Sequence, residues 1–223
     1  METIIALALG VLLSTINPIN KTSDKEEIKI YNESSRRTSD LIHTDLAVSF
    51  DWEKQHVLGK AILTVKPYFH STNQLLLDAK GFDIHSIRMN GKSLSYDYDT
   101  LCLIIQLDRK YNRDEEYVIN IDYTAMPNEL NVKGSSAISE AKGLYFINPT
   151  GIEDKPQQIW TQGETESSSC WFPTIDRPNE RMTQNIAITV KDEFITLSNG
   201  LLVKSIKNVD GSRTDFWEQK LPH

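Results

Sequence analysis

The sequence predicts an all-β domain: antiparallel, multi-stranded, folded as a β-sandwich. Three observations carry that reading. From Asp40 onward the apolar residues recur with a period of two, which places alternate side chains on opposite faces of a strand. Turn dipeptides punctuate the alternation at hairpin spacing: Asn90-Gly91, Asn199-Gly200 and Asp210-Gly211. After residue 20 no apolar stripe at helical spacing runs for more than about two turns.

The segments follow in order. Leu46, Val48 and Phe50 alternate with polar neighbours, and Ala61, Leu63 and Val65 repeat the pattern. Leu75 to Leu77 and Leu101 to Leu107 are continuous apolar runs, the pattern of strands covered on both faces. Tyr117, Ile119, Ile121 and Tyr123 alternate again, as do Ile186, Ile188 and Val190. Two stretches break the rhythm. Pro127 to Lys142 is polar and reads as a long surface loop. Asp154 to Pro178 is rich in Gln, Glu, Ser, Trp and Pro, and a long irregular connection in a compact domain is often functional.

The chain has 223 residues, enough to bury a core without a covalent staple. The hydrophobic share is 39% and the charged share 25%, values of a globular chain. Its net charge of −7 excludes nucleic acid as a partner bound through the phosphate backbone, which needs clustered positive charge. Two isolated cysteines, Cys102 and Cys170, make neither a disulfide framework nor a zinc cluster; both are expected to be inert thiols.

At the N-terminus, Ile4 to Leu13 is unbroken and apolar. Ten residues of helix reach roughly half the hydrocarbon core, so the run makes no membrane span by itself. Its length suits a secretory signal, although Glu2 stands where a positive residue is usual and no A-x-A site follows. Residues 1–37 are expected to be a signal-like segment and polar linker, residues 38–223 the β domain. The protein is then expected to be exported, periplasmic or in the cell envelope, and otherwise cytoplasmic.

Catalytic patterns are missing from the sequence. No two of the five histidines are four apart, so H-E-x-x-H does not occur, and neither does a G-x-S-x-G elbow or a glycine-rich phosphate loop. One cluster remains, Gln158 to Thr183. Ile159 to Gln162 is strand-like, and Gln162 and Glu164, two apart, project from one face of an extended chain. Gly163 between them lets a ligand approach the backbone. A carboxylate beside an amide suits an ammonium ligand, the carboxylate taking the charge and the amide a neighbouring polar group. Ser167 to Phe172 fits one helical turn, closed by Pro173.

In this cluster the sequence resembles the aminopeptidase N family of zinc exopeptidases. The matching residues are Gln162-Gly163-Glu164, Trp171-Phe172-Pro173, Asp176-Arg177-Pro178 and Arg181-Met182-Thr183. Leu58-Gly59-Lys60-Ala61, Gly143-Leu144-Tyr145, Asn199-Gly200 and Phe216 support it from further away. The similarity spans about residues 40–223, and its likeness is to exported members of Bacteroides type. The resemblance implies the family's first domain, a saddle-shaped β-sandwich. It also implies a partner, the catalytic domain of the same parent protein, which carries G-x-M-E-N and H-E-x-x-H-x18-E and the zinc; neither motif occurs in this sequence. No cofactor is expected in this chain, and by itself it is expected to be inactive. Glu164 would bind the α-ammonium of a peptide N-terminus together with a glutamate of the absent domain, and Gln162 would line the pocket beside the first substrate side chain. Trp171, Phe172, Pro173 and Asp176 would shape the turn behind the strand. Two other readings stay open: a free-standing β-sandwich module binding peptide or glycan through Trp160, Trp171 or Trp217, and a structural fragment with one apolar face bare.

Overall fold

Alternating apolar residues become thirteen strands in a computed structural model that describes residues 37–130 and 140–223. The strands are β1 (Ser39–Asp51), β2 (His56–Pro67), β3 (Thr72–Asp78), β4 (Phe82–Met89), β5 (Lys92–Ser93), β6 (Tyr96–Tyr98) and β7 (Cys102–Tyr111). They continue with β8 (Tyr117–Ala125), β9 (Leu144–Ile147), β10 (Gln158–Thr161), β11 (Thr183–Lys191), β12 (Leu201–Lys207) and β13 (Ser212–Gln219). Among the described residues the only helical pieces are 3₁₀ turns at Pro127–Glu129 and Ser168–Cys170. The signal-like segment expected at the N-terminus lies outside the described residues, as do residues 131–139 of the long polar loop.

Eight strands form one sheet in the order β12-β13-β11-β1-β2-β8-β4-β5, three form a second in the order β3-β7-β6, and β9 and β10 make a hairpin of their own. Among the described residues all strand pairings are antiparallel except one: β11 runs parallel to β1, with Leu46 opposite Ile186. The antiparallel expectation is corrected at that joint. Antiparallel neighbours suit short turns, whereas β1 and β11 meet across some 140 residues of intervening chain, so no hairpin dictates their direction.

Period-two burial builds the core. On β2 and β8 the pairs Ala61↔Ile121, Leu63↔Ile119 and Val65↔Tyr117 all point inward and are nearly or fully buried. Leu75 and Leu77 of β3 and Leu103 and Ile105 of β7 join the same buried cluster, so both sheets share one core. Each such side chain contributes about 1.5–3 kcal/mol relative to exposure. The apolar runs in β3 and β7 are not covered on both faces, as their continuity suggested. Leu76 is 47% exposed between buried Leu75 and Leu77. The three-stranded sheet has one buried face and one wet face; its outward Leu76, and Leu101 in the turn just before β7, are exposed apolar residues that the fold leaves out.

One glycine in this core reaches toward the functional region. A side chain at Gly59 would put its Cβ 2.1 Å from the ring of Tyr123, its cross-strand partner. The bare backbone therefore lets Tyr123 lie in the core, stacked on Phe82 with centroids 4.9 Å apart. The Tyr123 hydroxyl donates to the carbonyl of Trp171 at 3.1 Å, which ties the core to the irregular segment.

Candidate functional site

The hairpin of β9 and β10 presents the site. Trp160 stands opposite Tyr145 in register, and Leu144 opposite Thr161. One step further the Gln162 N–H donates to the carbonyl of Gly143 at 2.9 Å, so the ladder continues past the last strand residue. Beyond Gln162 the chain turns. The Ser167 N–H donates to the Gly163 carbonyl at 2.8 Å, and a 3₁₀ turn follows at Ser168–Cys170 where one helical turn was expected. Gly143 is required here on two counts. Its φ is +71°, and a Cβ on it would lie 1.9 Å from the Ser167 carbonyl oxygen.

Gln162 and Glu164 are brought together as their spacing suggested. The Gln162 Nε2 donates to Glu164 Oε2 at 3.3 Å. Gln162 is half-buried and Glu164 exposed. That contact uses one amide donor and one carboxylate oxygen. Glu164 Oε1 and Gln162 Oε1 make no other protein hydrogen bond among the described residues, so both can accept from an incoming N–H donor.

The turn rests on an acidic hub that sequence reasoning treated only as local shaping. Asp176 is 8% exposed. Its Oδ2 accepts from the Ser169 N–H at 2.9 Å and from the Ser169 hydroxyl at 2.7 Å. Burial pushes its carboxyl up from the usual range, and the two Ser169 bonds oppose that shift. Asp78 at the end of β3 receives the Asp176 N–H at 3.0 Å and bridges Thr174 through both backbone groups. The Lys80 N–H donates to the Ser169 carbonyl at 2.8 Å, and the Lys80 ammonium donates to the Glu166 carbonyl. Arg177 pairs with Glu166 at 3.0 Å. Phe172 is buried in the core behind the strand, with Trp171 packed edge-on against it. Cys170 is fully buried, and burial pushes its thiol up to about 11, which suits an inert role. Cys102 is only partly buried, and its thiol too is raised by burial.

A concavity of about 1070 Å³ opens beside the turn, lined by Trp160, Gly163, Trp171, Ile175, Met182 and Phe194 among others. Gly163 belongs to that lining; Gln162 and Glu164 do not. A smaller concavity of about 450 Å³ lies against Ala47, Ile62, Val203 and Phe216 and contains no residue of the Gln158–Thr183 cluster. Among the described residues no three His, Cys, Asp or Glu side chains converge as metal ligands. No helix among them is long and apolar enough to cross a membrane.

Comparison with known proteins bears on what this arrangement is for. The family described as the peptidase M1 N-terminal domain matches residues 40–223. Among curated proteins, transcription initiation factor TFIID subunit 2 of Gallus gallus is 23% identical over 213 residues, covering 82% of this chain and 18% of its own length. Leucine aminopeptidase 2 of Vanderwaltozyma polyspora is 22% identical over 198 residues, covering 88% of this chain and 29% of its own. The chain thus spans less than a third of either relative. Among solved structures, a two-domain M1 zinc metallopeptidase bound to L-arginine superposes with a TM-score of 0.71 at 18% identity, covering 84% of this chain and 40% of that one. The M1 zinc metallopeptidase from Deinococcus radiodurans gives a TM-score of 0.68 at 20% identity, with 84% and 40% covered. Leukotriene A4 hydrolase from Saccharomyces cerevisiae gives 0.62 at 18% identity, with 83% and 27% covered.

Proposed function

Because the chain belongs to the peptidase M1 N-terminal domain family, we propose that it is the substrate-anchoring part of a zinc aminopeptidase, with Glu164 holding the α-ammonium of a peptide and Gln162 lying beside the first side chain. The carrying observation is the Gln162–Glu164 contact at the turn after β10, which leaves one acceptor oxygen free on each residue. An α-amine has a pKa of about 8, so its cationic form predominates near neutrality. Fixing that cation fixes how far the chain end lies from the scissile bond, and orientation of this kind is worth several kcal/mol of barrier.

Family membership alone does not decide the activity, since relatives named as an aminopeptidase and as transcription factor subunits share the domain. The acid–amide pair is what favours the peptidase reading. Zinc, the general base and a second glutamate for the ammonium would come from a catalytic domain, and no reaction step is assigned to this chain. The same proposal places the protein outside the cytoplasm, on the strength of the apolar run Ile4 to Leu13; N-terminal sequencing of the protein recovered from the cell envelope checks it.

Anchoring is tested by titrating the chain with a tripeptide amide and with its N-acetylated form. The free amine binds roughly three- to tenfold more tightly, the modest ratio expected of an exposed, screened carboxylate. Glu164→Gln abolishes the difference. Equal binding of the two peptides by the unaltered chain contradicts the proposal.

A further inference from the structure

We propose that residues 178–182 form a flap on the rim of the large concavity, with Glu180 as its latch. The latch closes on Arg37 when the Glu180 carboxyl is ionised and opens when it is protonated. The flap joins two fixed points. On one side Asp176 is held by Ser169, and Arg177 pairs with Glu166. On the other, the parallel joint begins with His43 opposite Thr183, whose side chains meet at 2.6 Å. Between them Pro178 and Asn179 are exposed, in a turn closed by the Glu180 N–H on the Arg177 carbonyl at 3.0 Å. Arg177, Glu180 and Met182 line the concavity of about 1070 Å³, so movement of the flap changes its rim.

Glu180 reaches across to β1, and its side chain is only 4% exposed. Its Oε1 accepts the Leu41 N–H at 2.5 Å. The parallel ladder begins only at His43, so this carboxylate stands in for the strand partner that the Leu41 amide lacks. Its Oε2 lies 3.0 Å from Arg37 Nη2. That is a charge contact rather than a hydrogen bond, since Glu180 Oε2 and Arg37 Nε are buried with no hydrogen-bond partner among the described residues. A pair held by charge loses its attraction when one member is neutralised.

The guanidinium has other holds. Arg37 Nη2 donates to Asp40 at 2.5 Å, and the Tyr68 ring lies 4.3 Å from the guanidinium carbon. Lys66 stands 3.5 Å from Asp40 Oδ2. Arg37, Asp40, Tyr68 and Lys66 therefore stay together on release, and the flap is what moves. The other charged or titratable residues at the flap are Arg177 at its hinge, exposed Arg181 within it, His43 beside Thr183, and His223, whose N–H donates to the Met182 carbonyl at 3.4 Å.

On protonation one carboxyl oxygen turns from acceptor to donor. Leu41 keeps its acceptor at Oε1, while a proton on Oε2 faces the Arg37 N–H groups. Two donors then oppose each other, and the pair parts. Burial raises the Glu180 carboxyl above the usual range, opposed by the Leu41 N–H and by Arg37, with Asp40 adding to the rise. With the folded pKa above the unfolded one, the stability this group contributes is present below the ordinary pKa and lost as pH rises through the raised one. Acid therefore opens the latch without unfolding the domain.

The experiment follows the Glu180 carboxyl carbon, the Leu41 amide and the Arg37 guanidinium of the 223-residue chain by NMR as pH falls from neutrality. All three signals are expected to titrate together with a midpoint above about 4.3, the ordinary glutamate value. Hydrogen-exchange protection of the Leu41 amide falls about tenfold across that midpoint, while core amides such as Leu63 and Ile119 keep theirs. Glu180→Gln keeps an acceptor for Leu41 without the charge, so its Leu41 amide is weakly protected at neutral pH and does not titrate. Asp40→Asn lowers the midpoint, because one raising charge is gone. Leu41 and Arg37 signals that do not follow the Glu180 carboxyl, or the same pH dependence in Glu180→Gln, overturn the proposal. Loss of Leu41 protection only together with that of the core amides is unfolding, and overturns it as well.

Discussion

One oxygen of Asp176 takes both hydrogens that Ser169 can offer, the backbone N–H at 2.9 Å and the hydroxyl at 2.7 Å. Ser169 is fully buried, so the contact replaces water entirely. Asp176→Ala leaves two buried donors unpaired and is expected to cost about 3 kcal/mol, a fall in melting temperature of roughly 6–12 °C. Asp176→Asn keeps an acceptor and costs less. Because burial raises the Asp176 carboxyl, its ionised form is carried at a cost near neutrality. The unaltered chain therefore gains stability over Asp176→Asn as pH falls through the raised pKa, a trend that denaturant titrations at several pH values measure.

Gly143→Ala tests the packing of the turn on the hairpin. The new Cβ would meet the Ser167 carbonyl at 1.9 Å, in a backbone conformation with φ of +71°. The turn has to move, and the substitution is expected to cost about 3 kcal/mol or more. Chemical denaturation reads the loss, and peptide binding at Glu164 weakens with it.

Arg213 and Asp215 form a two-bond ion pair on β13. Arg213 donates to Asp215 through Nε at 2.9 Å and Nη2 at 3.0 Å, while Thr196 and Ser205 donate to the same carboxylate. These bonds, Arg213 first, pull the carboxyl down to about 2. A folded pKa below the unfolded one stabilises above roughly pH 4, and that stability drains away as pH falls through about 2. The side chain of Asp215 is 4% exposed, so a shift of this size is worth about 2 kcal/mol. Relative to Asp215→Asn, the unaltered chain should lose that advantage between about pH 4 and pH 2. A difference that stays constant with pH contradicts the linkage.

The chain alone is expected to release no leucine from a leucyl anilide, with or without added zinc. No metal-ligand cluster exists among its described residues, and none of the 223 residues falls in an H-E-x-x-H pattern. Turnover that EDTA abolishes would contradict that expectation.

Much of this was legible in the sequence because it is local. Alternation at Leu63, Val65, Ile119 and Ile121 set which faces are buried, and the two-residue spacing of Gln162 and Glu164 brought an amide to a carboxylate. Leu75 to Leu77 misled, because a continuous apolar run looks the same whether both faces are covered or one Leu is left in water; only the second sheet's open face decides. The parallel joint of β1 and β11 and the link between Asp78 and Asp176 were not legible for a different reason. Each joins residues about a hundred or more positions apart, and no periodicity encodes a long-range partner. The stack of Tyr145 on Trp160 depends likewise on the register of a hairpin, and the turn at Asn148–Gly151 in its long connecting loop does not set that register.

The most direct measurement is a structure of the chain with a bound tripeptide amide. The peptide ammonium is expected about 3 Å from the Glu164 carboxylate, with the first side chain running past Gln162. A peptide bound elsewhere, or one whose amine points into solvent, would contradict anchoring at Glu164.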